Sequence, residues 1–520
     1  MNSTTYSPKH IEKVSSDNLV VGFDLLSNLT YMQVVGMGGL PRHQVLHNCG
    51  KQKLTTAVFF EYINVLSVRL GMASSDAFRL VAERAKASSV KSLLLRFAAA
   101  LGSGESESDF IDQETRLESQ KYGNQYERTV ENLRKWTDAY AAILVSVALI
   151  MVVSLVSTML GSLDETFVVM MAFTVFCVTS IGVFVIYRVS PYEQMTYDSP
   201  EGIPPSRRKS RLLLLIGVPT GLVLALLVGP QFGLITGAAL GFLLVGFSML
   251  PGGWYAWKDD MEVARLDHEI STFVRSVGEI AGSAGVTLTE AISRIDTRAL
   301  QSLGRYIDRL YIRLSASLPT PDCWERFRAE TGSELVNRST HMLVDGTDLG
   351  GRPDQVGHIV SDYAEHISQL RATRSLTSST FSYLSVPMHG TVVFILVFVY
   401  QIVSVFSAKM AEVSSDVLKE AINDSLTISP NINVPPGLNL PAPGDLTAGL
   451  SIFGSQDMGI MGAVIVAVIA IMTIANTMAP KFAAGGSNLK IASYFSITCI
   501  VTGALMGIVP LFTKALFSIS

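Results

Sequence analysis

Seven stretches of the sequence are apolar over about the length that a helix needs to cross a bilayer. Roughly 20 mostly apolar residues are required, because each adds about 1.5 Å of rise across about 30 Å of hydrocarbon. None of the seven carries Asp, Glu, Lys or Arg in its interior. We therefore predict about seven transmembrane helices, over residues 140–160, 167–187, 212–228, 232–250, 383–405, 458–477 and 491–512.

Two long segments outside these stretches show the periodicity of amphipathic helices. Phe60 and Ile63 recur at helical spacing in one, and Phe273 and Val277 do so in the other. The sequence thus predicts an all-α polytopic membrane protein with two repeated cytoplasmic helical-bundle domains. The predicted divisions are an N-terminal cytoplasmic arm (1–54), a first helical domain (55–139), four spans (140–250), a second helical domain (251–382), a fifth span (383–405), an external loop (406–457) and two last spans (458–520).

The two helical domains share a spacing pattern. The distance along the chain from Phe59 to Gly71 equals that from Phe273 to Gly285, and each glycine ends an apolar run. Glycine reaches positive φ at little cost and therefore ends helices well. Any two helical hairpins share some spacing, but the order of hairpin, glycine turn, long helix and span occurs twice, which favours a duplication. The predicted turn glycines are Gly71, Gly102, Gly285, Gly350 and Gly351.

The charges of the short loops indicate one orientation. The link 188–211 carries five Lys or Arg residues, and the link 478–490 carries Lys481 and Lys490, whereas the link 161–165 carries none. Basic residues favour the cytoplasmic side. We therefore expect a plasma-membrane protein with a cytoplasmic N-terminus and an external C-terminus.

The longest predicted external loop is rich in proline, with five prolines between residues 430 and 443, which is typical of extended chain. It also contains Asn423-Asp424-Ser425, a sequence that can accept an N-linked glycan. A three-residue pattern also arises by chance, so the use of Asn423 stays open.

Composition narrows the functional classes. The net charge is -4 and the charged share is 16%, which gives no indication of nucleic acid as a partner. The four cysteines, Cys49, Cys177, Cys323 and Cys499, lie far apart and form no disulfide framework.

The sequence offers little catalytic chemistry. It contains no G-x-x-x-x-G-K-[ST] phosphate-binding loop. His43, His47 and Cys49 could approach a metal, but no fourth ligand is evident.

His389 lies in a predicted span, where it either has a function or bonds a carbonyl freed near Pro387. The carboxylates of the helical domains alternate with arginines, as on solvated faces, so we expect no enzyme activity, cofactor or metal.

The chain resembles the type II secretion system F domain family, the membrane platforms of type II secretion, type IV pili, tight-adherence pili and archaeal flagella. The motif F-x11-G-x4-[DE]-A begins at Phe59 and again at Phe273. The resemblance covers roughly residues 55–512 and is greatest to archaeal members over four short segments. These segments are Leu93 to Phe97, Gly102 to Glu105, Tyr126 to Arg128 and Lys135 to Tyr140.

The resemblance implies a platform without a catalytic motif of its own. A separate cytoplasmic hexameric ATPase would act on the helical domains, and the spans would help to lift pilin-like subunits into a filament or a secretion pseudopilus. The platform is expected to form a homodimer in the lipid bilayer. The extra spans and the long external loop differ from the simplest bacterial pattern. A secondary transporter or channel is the alternative, but it would commonly place charges and broken helices at the midplane.

One basic segment has two interpretations. Arg207, Arg208, Lys209 and Arg211 precede the third predicted span. They either dock the ATPase, or fix the topology and lie at anionic lipid headgroups.

Overall fold

The protein is all-α. The computed structural model describes residues 18–159, 165–427 and 458–518. In these ranges, β-type pairing is limited to two isolated bridges, Thr196 with Ser333 and Ser199 with Gly202. The helices are α1 Leu19–Gly36, α2 Arg42–Gly50, α3 Ala57–Arg69, α4 Ser74–Arg84, α5 Ser88–Ser103, α6 Glu107–Met159, α7 Glu165–Val189, α8 Pro205–Val228, α9 Leu234–Ala284, α10 Leu288–Ser293, α11 Gly304–Ser315, α12 Thr320–Thr331, α13 Glu334–Asp348, α14 Pro353–Thr427, α15 Met458–Ala484 and α16 Ile491–Ser518.

All seven predicted spans lie on helices long and apolar enough to cross a membrane. Three of these helices also carry the polar segments of the helical domains: α6 has 53 residues, α9 has 51 and α14 has 75. At 1.5 Å per residue each is far longer than the hydrocarbon core. The spans and the helical domains are therefore joined by unbroken helix at three places.

Helix α1 differs from the predicted N-terminal arm. From Leu19 onward the segment 1–54 is folded, and α1 is apolar enough to be an eighth candidate span. Its partners are nevertheless polar and charged: Asp24 pairs with Arg338 at 2.8 Å, and Tyr31 donates to Asp345 at 2.7 Å. Both partners lie on α13, and 78% of the apolar window of α1 is buried inside the protein. A helix so buried, with charged partners, packs in a protein core rather than in lipid.

The two helical domains form one hydrophobic core. Phe59, Phe97 and Tyr126 of the first belong to the same buried cluster as Phe273 and Trp324 of the second. Helix α1 also belongs to this cluster, contacting α6 through the stacked rings of Phe23 and Tyr122. A second buried cluster lies among the spans. The predicted domains are thus halves of one helical unit.

The turn geometry of the two halves follows the predicted repeat. Gly71 and Gly285 both have φ of +64°, and the next helix begins three residues later in each half, at Ser74 and Leu288. The second repeated turn differs from the prediction. Gly102 lies inside α5, and the positive φ belongs to Gly104.

The counterpart of Gly104 in the second half is Ser317, which has φ of +56° and precedes α12 by the same interval at which Gly104 precedes α6. The turn at Gly350 and Gly351 links α13 to α14, where the first half continues as unbroken α6. That turn packs against α1's end, since a Cβ on Gly38 would lie 2.1 Å from the Leu349 carbonyl oxygen.

Glycines bring three of the spans close together. A Cβ on Gly246 or Gly253 of α9 would lie 2.8 Å from atoms of α16, and one on Gly217 of α8 would lie 2.5 Å from the Ser248 carbonyl oxygen. Small residues permit this approach where lipid supplies no hydrophobic driving force. Helices α8, α9 and α16 therefore form a tight group.

Part of the predicted external loop is helical, because α14 continues to Thr427. The five prolines between 430 and 443 lie outside the described residues. Asn423 lies on α14, but its side chain is not among those described.

Candidate functional site at the membrane junction

Buried arginines lie where the helical unit meets the spans. Arg338 is on α13, and Arg371 and Arg374 are on α14, and all are less than a tenth exposed. Arg371 and Arg374 continue, at helical spacing, the apolar stripe that Tyr363 and Ile367 form on α14. Their side chains therefore point into the protein. Buried charges require partners, and each of the three has them.

Arg371 joins three segments that are distant in sequence. Its Nη1 lies 2.7 Å from Asp267 of α9, and its Nε lies 3.4 Å from Glu193 in the link between α7 and α8. Asp267 also accepts a hydrogen bond from Ser333, the N-cap of α13. Burial raises the pKa of Asp267, while Arg371 opposes that effect.

Arg374 binds the C-terminal end of the span α15. It donates to the Ala483 carbonyl at 3.1 Å and to the Phe482 carbonyl at 3.3 Å, in the last turn of α15. A cation at a helix C-terminus satisfies free carbonyls and complements the helix dipole. Glu193 lies 4.0 Å away and accepts from Tyr126 of α6 at 3.0 Å.

Arg338 continues the contacts to α1. It pairs with Asp24 and Glu334 at 2.8 Å each and donates to Ser27 at 2.7 Å. Burial opposes its charge, but the neighbouring Tyr363, Glu334 and Asp24 raise the pKa of Arg338.

Phe23 connects the arginine groups, because its ring lies 4.1 Å from the Arg338 guanidinium and 5.8 Å from that of Arg371. A cation over an aromatic face is favourable at such distances. We call the resulting set the junction network: Asp24, Glu193, Asp267, Glu334, Arg338, Arg371 and Arg374.

The junction network fixes positions. It links α1, α9, α13, α14, α15 and the link between α7 and α8, and all its side chains are buried. Backbone bonds reinforce that link: Tyr197 donates to the Gly332 carbonyl at 2.9 Å, and Glu334 donates to the Met195 carbonyl at 3.1 Å. The helical unit and the spans are therefore held in one arrangement.

In the predicted basic docking segment, Arg207 is buried and the other three residues are exposed. Arg207 is 1% exposed, pairs with Asp259 at 2.9 Å and Asp198 at 2.8 Å, and donates to the carbonyls of Tyr197 and Gly332. The interpretation of Arg207 as a docking residue is therefore wrong, because its guanidinium is fully used inside the protein.

The other three residues of the segment remain exposed. Arg208, Lys209 and Arg211 all lie on the first turns of α8. Arg211 pairs with Asp198 at 3.0 Å. Although burial alone would raise it, the hydrogen bond and charge of Arg207 hold the pKa of Asp198 below its ordinary value.

His389 belongs to a hydrogen-bonded chain among the spans. Its Nε2 lies 2.8 Å from Thr502 of α16, and its Nδ1 lies 3.0 Å from the Asn476 amide nitrogen of α15. Tyr140 of α6 donates to Asn476 at 3.1 Å, and Thr473 lies 3.1 Å from Thr502. His389 thus bonds side chains on two neighbouring helices, not a freed carbonyl.

The possible metal ligands do not converge. Cys49 is buried, whereas His43 and His47 are exposed. Within the described ranges, no group of three or more His, Cys, Asp or Glu could hold a metal ion.

Sequence reasoning missed the junction network, because it treats charged residues in helical domains as solvated. One signal was available: Arg371 and Arg374 fall on the apolar face of a helix, beside Ile367 and Leu370. Nothing local indicates their partners, since Arg371 and Glu193 are 178 positions apart.

Comparison with known proteins finds two archaeal relatives. The chain is 25% identical over 333 residues to flagella accessory protein J of Methanococcus voltae, covering 62% of this chain and 59% of the relative. It is 24% identical over 321 residues to flagella accessory protein J of Methanocaldococcus jannaschii, covering 60% and 57%. The matches thus span less than two thirds of each relative. No protein-family model and no solved structure matches the chain.

Proposed function

We propose that this protein is the membrane platform of an archaeal flagellum-like filament assembly machine. The similarity to two flagella accessory proteins supports a role in assembling such a filament. The observation that carries the mechanism is the continuity of α6, α9 and α14 from the helical unit into the spans. A force on the unit reaches the spans without passing through a flexible linker.

In this mechanism a separate cytoplasmic hexameric ATPase pushes or turns the helical unit. The junction network keeps α9, α14 and α15 in register, so that the displacement moves the spans rather than separating them from the unit. The spans then help to lift pilin-like subunits out of the bilayer. The platform contributes no catalytic step, and we propose that it acts as a homodimer.

Genetics in the native organism tests the role. Deletion of the gene should abolish surface filaments seen by electron microscopy, and the wild-type gene should restore them. Filaments at wild-type number in the deletion strain would overturn the proposal.

Biochemistry tests the division of labour. The purified protein should bind the hexameric assembly ATPase of its own organism and should not hydrolyse ATP alone. Hydrolysis by the platform alone that a point substitution in it abolishes would contradict this division.

A transporter or channel is the remaining alternative, since the hydrogen-bonded side chains around His389 are polar and lie among the spans. Apart from His389, these side chains cannot carry a charge at neutral pH, and they hydrogen-bond one another across helices. This arrangement favours a structural role, in which they join neighbouring spans. Filaments that persist after deletion, together with loss of a solute flux, would favour transport.

A further inference from the structure

Exposed aromatic residues mark one interface of the membrane. Trp136, Tyr187, Trp254, Trp257 and Tyr383 are each more than two fifths exposed. All five lie within seven residues of the end of a predicted span that adjoins either the helical unit or the basic link 188–211. Tryptophan and tyrosine favour the headgroup level of a bilayer, because their rings are apolar with a polar edge.

The exposed cations of α8 lie at this same level. Helices α8 and α9 are antiparallel, with Ser210 donating to the Gly252 carbonyl at 2.9 Å and Arg207 pairing with Asp259. Arg208 and Lys209 are therefore level with the segment 254–257 of α9, which carries both tryptophans.

Lys209 is held against the aromatic group. Its Nζ lies 5.5 Å from the centre of the Tyr255 ring, and the Trp254 and Trp257 rings are 5.3 Å apart. Unlike Arg207 and Arg211, neither Arg208 nor Lys209 has a carboxylate partner in the described part of the chain. The positive charges of Arg208 and Lys209 are therefore left uncompensated at the headgroup level.

We infer that Arg208 and Lys209, together with Trp254 and Tyr255, form a binding site for the phosphate headgroup of an anionic membrane lipid. The cations attract the phosphate, and the rings lie against the upper acyl chain. The inference does not depend on the proposed function.

The position of the site favours lipid over a cytoplasmic protein. Leu212 and Leu215, one and two turns further along α8, are 61% and 74% exposed, as lipid-facing residues are. In the other direction α9 continues for 30 residues from Trp254 to Ala284, which is about 45 Å of helix. A large protein that binds the helical unit near Ala284 is therefore separated from Lys209 by about 45 Å of helix.

The test measures lipid retention by the full chain. The protein is reconstituted in nanodiscs of phosphatidylcholine with a minor fraction of phosphatidylglycerol, and the lipids that remain bound after release are identified by native mass spectrometry. The wild type should retain phosphatidylglycerol in excess over its share of the bilayer. R208Q/K209Q should lose that excess, on the order of fivefold for each cation removed.

Two further variants make the result specific. K86Q/K91Q removes two exposed cations from the helical unit, away from the spans, and should retain phosphatidylglycerol like the wild type. R208K/K209R keeps both charges and should also retain it, which separates loss of binding from a folding defect.

Three outcomes would overturn the inference. One is unchanged phosphatidylglycerol retention in R208Q/K209Q, and another is an equal loss in K86Q/K91Q, which would indicate general surface charge. The third is loss of binding to an acidic cytoplasmic protein while lipid retention is intact, which would identify a protein-docking surface.

Discussion

Arg371 illustrates how much a single residue depends on its partners here. Its guanidinium is buried between Asp267 and Glu193, and neither carboxylate has another arginine as close. Taking one partner from a buried ion pair is costly, because it leaves an uncompensated charge without water.

Replacing Arg371 with methionine should lower the free energy of unfolding by roughly 3–5 kcal/mol. Thermal unfolding of the purified protein in detergent measures this. The control is Arg326→Met, whose side chain is 61% exposed and lies 3.8 Å from Glu330. It should cost no more than about 1 kcal/mol. Equal melting temperatures for the two variants would contradict the assignment of Arg371 to a buried network.

Thr502 tests the hydrogen-bonded chain among the spans. Thr502→Val keeps the shape but removes the bonds to His389 and Thr473. We expect a loss of about 1 kcal/mol, since interhelical hydrogen bonds in membranes are modest. Thr391→Val is the control, because Thr391 is exposed and bonds only the Pro387 carbonyl of its own helix. If both variants unfold at the wild-type temperature, the hydrogen bonds around His389 do not stabilise the packing of the spans.

At the scale of elements, the repeat is expressed in turn geometry. Gly71 and Gly285 share a φ of +64° and precede equivalent helices, and neither has an atom close to where a Cβ would lie. The cost of a side chain at either position is therefore one of backbone conformation alone.

Gly71→Val and Gly285→Val should each destabilise the protein by similar amounts, roughly 1–2 kcal/mol, because a left-handed conformation crowds the Cβ of an L-residue. Gly102→Ala is the matched control: Gly102 is helical with open space around it, and alanine there should stabilise by up to about 1 kcal/mol. Melting temperatures of the three full-length variants decide this. A Gly102→Ala variant as unstable as Gly71→Val would refute the assigned helix end.

The left-handed residue Ser317 gives the opposite test. Serine at φ of +56° stands where the first half has Gly104. Ser317→Gly should raise the melting temperature, because it relieves this strain. A lower melting temperature would show that the two turns are not equivalent.

At the scale of the molecule, three continuous helices and the junction network join the helical unit to the spans. The sidedness of that unit stays a prediction from the charges of the short loops. It determines whether a cytoplasmic ATPase can reach the unit.

Single-cysteine labelling in a variant without the four native cysteines tests the sidedness. Ser206→Cys, at the start of α8, should be protected from an impermeant maleimide in intact cells and labelled after lysis. Ser455→Cys, outside the described residues, should be labelled in intact cells. Labelling of Ser206→Cys from the exterior would reverse the proposed orientation.

The sequence predicted the seven spans and the turns at Gly71 and Gly285 because both depend on local properties. Transfer of an apolar helix into lipid depends on its own composition, and a left-handed turn depends on one residue. Helix α1 has the composition of a span too, yet Arg338, 314 positions away from Asp24, makes it part of a protein core.

The sequence by itself determined that this is an all-α membrane protein with a repeated helical pattern. Only the tertiary structure decided which charges are free. Arg207 and Arg208 are adjacent and chemically alike, but the fold turns Arg207 towards Asp259 and leaves Arg208 exposed. The physical reason is that the state of a charged side chain depends on desolvation and on partners distant in sequence, and no local pattern records either.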